Sequence, residues 1–311
     1  MGKKVIIALG GNALIKKGQQ GTIHEQFANT RKVAISIVKM IQDGYNLVIT
    51  HGNGPQVGAI LLQNNATRDI LPPMPLGVCV AESEGLIGYM IQQCIANELQ
   101  KKGIKKPVAT IITQVLVDKN DPSFSQPTKP IGPYYSDKEK DQLMNDGYQF
   151  TKQPNGWRIV VSSPDPKEII EGDIIKTMLQ DGIIVIAAGG GGMPVIQKKE
   201  WGFDGVEAVV DKDLASERLA ESINADLLLI LTNVEYVFRN YNTENQQKIT
   251  KISLQKIKKY YENDEFPAGS MGPKILASIR FLEAGGKKVI ITDVGHGWDA
   301  VQGKTGTHII K

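Results

Sequence analysis

Cysteine is nearly absent: Cys79 and Cys94 are the only two in 311 residues. That excludes a disulfide scaffold, and both sit in apolar surroundings that suit buried free thiols. Histidine is scarce too, and His24, His51, His296 and His308 show no metal-ligand spacing. Long hydrophobic runs are missing. The apolar stretches reach only about 5–8 residues, far short of a membrane span. The start, Met1 to Leu9, is basic then apolar, as in a signal peptide. Its run is too short and Gly10-Gly11-Asn12 interrupts it, so a cytoplasmic chain is expected. Charge of one sign is not in excess either: 36 Lys and Arg face 33 Asp and Glu, a formal +3. A dedicated nucleic-acid binder needs concentrated basic surface and interleaved aromatics, and neither is visible. A composition of 41% hydrophobic and 22% charged residues excludes disorder as the main state.

What is present is a rhythm. Runs rich in Val and Ile recur at Val5–Leu9, Leu47–Thr50, Val108–Ile112, Ile159–Ser162, Ile183–Ala188, Leu227–Thr232 and Val289–Thr292. They are continuous rather than alternating, which predicts parallel strands buried on both faces. Between them lie helical patterns such as Ala34, Ile37, Val38 and Ile41. Leu86, Met90 and Cys94 form one stripe, and Ile87, Ile91 and Ile95 the next, a face wide enough for deep burial or a subunit contact. Strand and helix in alternation predict an α/β fold with a mostly parallel sheet. The stretch from Asp118 to Gly156 breaks the pattern. It is polar and carries Pro122, Pro127, Pro130, Pro133 and Pro154, so it is expected to protrude as a lid-like insertion. A second seam is expected near Met193–Glu207.

Three glycine turns follow predicted strands: Gly10-Gly11-Asn12, His51-Gly52-Asn53-Gly54-Pro55 and Gly189-Gly190-Gly191-Gly192. Each alone could be a tight strand-to-helix turn. Together, at the carboxyl edge of a parallel sheet, they offer backbone N–H groups to an anion. Two lysines stand near helix starts, Lys212 in Asp211-Lys212-Asp213 and Lys274 in Gly272-Pro273-Lys274. A cation there opposes the helix dipole by about 0.3–1 kcal/mol, and a bound anion would reverse the sign. The buried sides of these helices are expected at Ala215, Leu219 and Ile223, and at Ile275, Ile279 and Leu282. Pro273 suits the first helical position. Lys129 sits between Pro127 and Pro130 in the insertion, where restricted backbone would present it from a stiff arm.

Several better-known patterns are incomplete. Gly303-Lys304-Thr305 ends like a phosphate-binding loop, but Gly297 is one residue too far upstream. Gly52-Asn53-Gly54 would need glycine at Val57 to complete a dinucleotide fingerprint.

With these residues assembled, the sequence resembles the carbamate kinase branch of the amino acid kinase family. The likeness runs through ALGGNAL (8–14), THGNGPQVG (50–58), PTKPIGPYY (127–135), AAGGGGMPV (187–195), VVDKDLASERLA (209–220), LILTNV (229–234) and SMGPKI (270–275). The resemblance implies a single domain, 1–311, folded as a three-layer α/β/α sandwich around a mainly parallel sheet, usually a homodimer. Residues 1–208, with the insertion at 118–156, would hold the acyl-phosphate side, and 209–311 the nucleotide. It implies ATP or ADP and carbamate or carbamoyl phosphate as substrates, with Mg²⁺ on the nucleotide and no metal held by the protein. Gly10, Gly11, Asn12, Gly52, Asn53 and Gly54 would line the carbamate and the moving phosphoryl group. Lys129 would reach in, Lys212 and Lys274 would hold phosphates, and Asp213 would orient the lysines. Asn233, Tyr236, Val237, Phe238, Met271 and Gly272 would border the nucleotide. ATP formation in arginine breakdown is the physiological direction that the resemblance implies. Rival readings are a same-fold kinase for another acyl or nucleoside monophosphate substrate, or a non-catalytic nucleotide sensor. An amino-acid carboxylate often calls for an arginine fork. No arginine lies in the glycine turns, and Arg68 is the nearest candidate.

Overall fold

The computed structural model describes residues 2–16, 18–267 and 269–311. Eight strands form the central sheet. Across it they run Lys251–Ser253, Thr307–Ile310, Lys288–Asp293, Leu227–Thr232, Lys4–Leu9, Asn46–His51, Ile184–Ile186 and Val108–Thr110. Neighbours are parallel, except that Lys288–Asp293 meets Thr307–Ile310 antiparallel. The helices in chain order are α1 (Ile23–Gln42), α2 (Gly54–Ala66), α3 (Leu76–Lys101), α4 (Asp137–Asn145), α5 (Gly172–Gln180), α6 (Lys212–Ser222), α7 (Leu254–Glu262), α8 (Met271–Glu283) and α9 (Gly297–Val301).

The side-chain period of two along a strand divides each run between two cores. Val5, Ile7 and Leu9 pack with Leu47, Ile49, Leu229 and Ile290 against α1 and α3. Ile6 and Ala8 pack with Val48, Leu228, Ile230 and Val289 against α5, α6, α7 and α8. This is the three-layer α/β/α sandwich, and it explains why the runs do not alternate in polarity. Each such side chain removed from water contributes about 1.5–3 kcal/mol before conformational entropy opposes it. Local signals agree with these packing demands. Thr22 and Glu25 close a reciprocal cap at the start of α1, and Ala34, Ile37, Val38 and Ile41 are buried along it. On α3 the Ile87, Ile91 and Ile95 stripe is fully buried, while Leu86 is partly exposed.

Three expectations need correction. The run at Ile159–Ser162 is no part of the parallel sheet. Strand Gly156–Val161 lies between Lys129–Tyr135 and Gln149–Gln153 in a separate antiparallel sheet. Its apolar residues fill a third core under α2 with Ile131 and Tyr135. Hydrophobicity reported burial there but not the partner. The insertion therefore has its own sheet and helix α4, and its last strand runs beyond Gly156. Second, the run at Val108–Ile112 pairs only to Thr110. Third, α8 begins at Met271, so Pro273 stands at the third helical position, where its missing N–H is still harmless. The segment near Met193–Glu207 is a hairpin of Met193–Lys198 and Gly202–Gly205. It extends a second sheet with Gln114–Val117 and Pro166–Ile169. The central sheet is continuous across residue 208, because Lys4–Leu9 pairs directly with Leu227–Thr232.

Candidate active site

The carboxyl ends of four central strands open onto one cavity of 480 Å³. Gly10 follows Leu9 and donates its N–H to Leu231 O at 2.8 Å; Gly52 follows His51 and donates to Leu9 O at 2.9 Å. Gly10, Gly11, Gly52, Asn53, Gly54 and Gly190 form the floor of that cavity. The third turn needs glycine for a visible reason. Gly190 has φ 66°, and a Cβ there would sit 2.1 Å from the Asn53 side chain. Asn53 is itself fixed, donating from Nδ2 to Ser83 Oγ at 2.8 Å.

Beneath the turns lie two titratable side chains. His51 is buried, and burial pushes its imidazole down to about 4, so it is neutral near pH 7. Glu84 is also buried and accepts from the Thr113 N–H at 2.8 Å. Desolvation raises its carboxyl well above the ordinary range. Both groups support the turns from below and neither lines the cavity.

The charged centre is built where α6 begins. Asp211 caps the helix, its Oδ1 accepting from the Asp213 N–H at 2.9 Å and the Leu214 N–H at 3.4 Å. Its other oxygen accepts from Lys129 Nζ at 3.1 Å, so the insertion reaches the helix start across the cavity. Asp213 lies one step inside. One of its oxygens accepts from Lys212 Nζ and the other from Lys274 Nζ at 3.0 Å. Lys274 comes from the first turn of α8 and also donates to Ser270 O at 3.1 Å. Burial opposes ionisation of Asp213, but Lys212 and Lys274 hold its carboxyl below the ordinary range. Asp211 behaves alike, with Lys129, Lys212 and Lys274 outweighing burial. Burial, with Lys274 close by, pulls the Lys212 ammonium down despite Asp213. For Lys274 burial works against the charge, yet Asp213 and Asp211 prevail and raise it. Three ammoniums thus share two carboxylates, and one positive charge is left over for an incoming anion.

Most residues singled out from sequence meet here. Lys129, Lys212, Asp213 and Lys274 line the cavity, as do Asn233, Tyr236, Phe238 and Met271. Val237 does not. Its side chain is fully buried in the core and its N–H donates to Thr307 Oγ1 at 2.8 Å. Along strand Val237–Arg239 neighbours face opposite ways, so Phe238 can line the cavity only if Val237 turns away. Gly272 is also outside the lining; its N–H closes onto Pro267 O at 2.8 Å. The side chain of Asn12 lies outside the described residues.

Two polar members went unnoticed in the sequence. Asp211 could have been found, since an Asp just before a helix caps it and keeps one oxygen free. Arg158 carried no such signal. It lines the cavity from the insertion's middle strand, donating from Nη2 to Gly132 O at 2.8 Å. Its buried Nε has no partner among the described residues. Arg68 is not in the cavity; it pairs with Asp146 at 3.0 Å beside α4.

No metal cage accompanies these groups. Among the described residues, no cluster of three or more His, Cys, Asp or Glu could hold an ion. Asp211 and Asp213 are already shared by ammoniums.

A sequence model of the amino acid kinase family matches residues 3–293. The carbamate kinase of Pyrococcus furiosus is 50% identical over 314 residues, covering 100% of both chains. The solved carbamate kinase of Giardia lamblia bound to citric acid superposes with a TM-score of 0.94 at 43% identity, covering 100% of this chain and 99% of that one. The same Giardia enzyme bound to AMP-PNP gives 0.92 at 44% identity, with the same coverage.

Proposed function

The chain belongs to the amino acid kinase family, and from that premise we propose that it is a carbamate kinase. It moves a phosphoryl group reversibly between ATP and carbamate, giving ADP and carbamoyl phosphate. One observation carries this reading: ammoniums from the insertion, α6 and α8 converge on two neighbouring aspartates in the cavity floored by glycine amides.

Carbamate already bears an anionic oxygen, so the reaction requires no general base. The neutral, buried state of His51 agrees with a structural role. The difficulty is to bring two anions together and spread the charge of the moving phosphoryl, which is a matter of positioning and electrostatics. Gly10, Gly11, Asn12, Gly52, Asn53 and Gly54 would surround carbamate and the transferring group. Lys129 would approach from the insertion, with Arg158 beside it. Lys212 and Lys274 would bind nucleotide phosphates as compact point charges, and Asp213 would keep them from separating. Asn233, Tyr236, Phe238 and Met271 would border the adenosine. Residues 1–208 then serve the acyl phosphate and 209–311 the nucleotide.

Mg²⁺ would arrive on the nucleotide and neutralise part of its charge, with Asp213 near enough to the phosphates to meet it through water as the alternative to orienting the lysines alone. We read the active form as a homodimer. The outer faces of α1 and α3 support this, since Ile35, Val78 and Tyr89 are exposed there. Two free cysteines, both buried, suit a reducing cytoplasm. No described helix is long and apolar enough to cross a membrane.

The deciding assay is ATP formation from ADP and carbamoyl phosphate by the purified chain. N-acetylglutamate and UMP, each offered with ATP, serve as rival acceptors. ATP formation with neither rival phosphorylated supports the reading. Silence with carbamoyl phosphate, together with transfer to either rival, sinks it.

A further inference from the structure

A second cavity, of 450 Å³, opens on the far side of Tyr236 at the edge of the central sheet. Its lining includes Lys251, Lys288, Lys304 and His308 and, among the described residues, no carboxylate. The sheet register explains the crowding. Lys251 stands opposite His308 in the parallel edge pair. On the next strand His308 is opposite Ile290, and Lys288 is opposite Ile310. Positions two apart share a face, so Lys251, His308 and Lys288 all project from the same side of the sheet. Burial and the two lysines push the His308 imidazole down, and its Nε2 meets Thr305 O at 2.8 Å, so the repelling charges here are Lys251 and Lys288.

In the reaction cavity, Asp211 and Asp213 answer three ammoniums. Here, among the described residues, Lys251 and Lys288 have no carboxylate within ion-pair distance. Lys304 alone has one, the Asp299 side chain at 3.2 Å. Asp226, close to Lys288 in the sheet, is already engaged by Lys287 at 2.6 Å and by the Lys4 N–H at 2.9 Å. Burial, then Lys251 and Lys3, push the Lys288 ammonium down. A further cation, Lys248, lies 4.5 Å over the Tyr236 ring. Thr250 adds a hydroxyl to the wall, while the Thr305 hydroxyl is engaged by the Glu235 carboxylate behind it.

We propose that this cavity is a second anion site, distinct from the reaction pocket, that takes a small molecule carrying two or more linked phosphate groups. The volume exceeds what one phosphate fills, and lysines on the two strands flanking Thr307–Ile310 and in the loop before it match charges set apart from each other. Tyr236 borders both cavities and its hydroxyl meets Thr305 Oγ1 at 2.9 Å, which keeps the two sites separate. The proposal does not depend on the carbamate reading.

Pyrophosphate is the probe, with inorganic phosphate as its single-group counterpart. Each is titrated by calorimetry into full-length chain saturated with AMP-PNP, so that the reaction pocket is filled. One pyrophosphate per chain is expected, with inorganic phosphate clearly weaker. The double variant Lys251→Gln/Lys288→Gln should bind pyrophosphate at least about tenfold more weakly, about 1.4 kcal/mol. Its AMP-PNP affinity should be unchanged, and without anion it should melt above the parent because repulsion is relieved. Lys251→Gln alone, at an exposed position, should give a smaller loss and guards against misfolding of the double variant. Absence of pyrophosphate binding, or equal binding by parent and variants, overturns the site. Equal affinity for phosphate and pyrophosphate overturns the assignment to linked phosphates.

Discussion

The cations of the reaction cavity come from two kinds of structure. Lys212 and Lys274 stand on helices whose other faces fill the main core, and a buried aspartate holds both. Lys129 stands on a small antiparallel sheet that carries an exposed helix, α4, with no buried residue. What anchors that sheet is close packing, with the Lys129–Asp211 ion pair as a charged tie to the start of α6. A Cβ on Gly58 of α2 would fall 1.9 Å from the Cα of Gly132. The contrast separates two tasks. In the proposed assignment the nucleotide side is a fixed electrostatic frame, whereas the acyl-phosphate side is presented by a unit attached at its base. Closure of that unit over the site is a corollary of the proposed function.

The strongest way to break the comparison is to remove the shared anion. Asp213→Ala leaves two buried ammoniums unpartnered, and should cost about 3–5 kcal/mol of stability in urea denaturation. A loss below 1 kcal/mol would mean that the frame is not held by Asp213. A second test concerns the floor beneath the glycine turns. His51 is neutral in the fold because burial lowers it from 6.5 to about 4. Its contribution is fully present above pH 6.5, because neither state is protonated there. Between pH 6.5 and 4 the unfolded chain takes up a proton that the fold refuses. About 3 kcal/mol should be lost across that window. His51→Gln should flatten this acid limb, and an unchanged limb would place the loss elsewhere.

Turnover sharpens the contrast further. Lys212→Ala and Lys274→Ala should each slow phosphoryl transfer by about tenfold or more, about 1.4 kcal/mol of barrier. Near-normal rates in both would remove the proposed clamp. Lys129→Ala should have a smaller effect, seen mainly as a raised KM for carbamoyl phosphate with KM for ADP little changed. The opposite split would move Lys129 to the nucleotide side.

The two regions also differ in how much of them the sequence discloses. The frame was readable because its signals are local. Lys212 and Lys274 lie in first turns, and Ala215, Leu219, Ile275 and Ile279 repeat at helical spacing, although the cap Asp211 was passed over. Strands of Val and Ile placed the glycine turns at one edge. The insertion was less readable because its order comes from pairing between distant residues. Ile159 has the same composition signal as Ile49, yet its partners are Ile131 and Phe150. Arg158 enters the cavity only because its strand pairs with Lys129–Tyr135, and nothing beside it in the chain announces this. Val237 and Phe238 show the same limit at single-residue scale. A contiguous segment was expected at the nucleotide, but strand alternation sends one side chain to the core and the next to the cavity.

The smallest expected effect tests the insertion's own charge. Arg68 at the end of α2 meets Asp146 beyond α4, and both side chains stay well exposed. Such pairs gain little, because water and salt screen them and two long side chains must be ordered. Arg68→Ala should therefore leave the urea midpoint unchanged, in contrast with Asp213→Ala. It should leave the nucleotide frame intact as well, so KM for ADP stays at the parent value. What it can change is the hold of α4 on the body of the protein. Limited proteolysis at 137–147 should speed up, and saturating both substrates should restore part of the protection. Unchanged cleavage with the variant would show that the Gly58–Gly132 contact alone seats the insertion. A large drop in global stability would show instead that the insertion and the frame unfold as one unit, and the division drawn between them would fail.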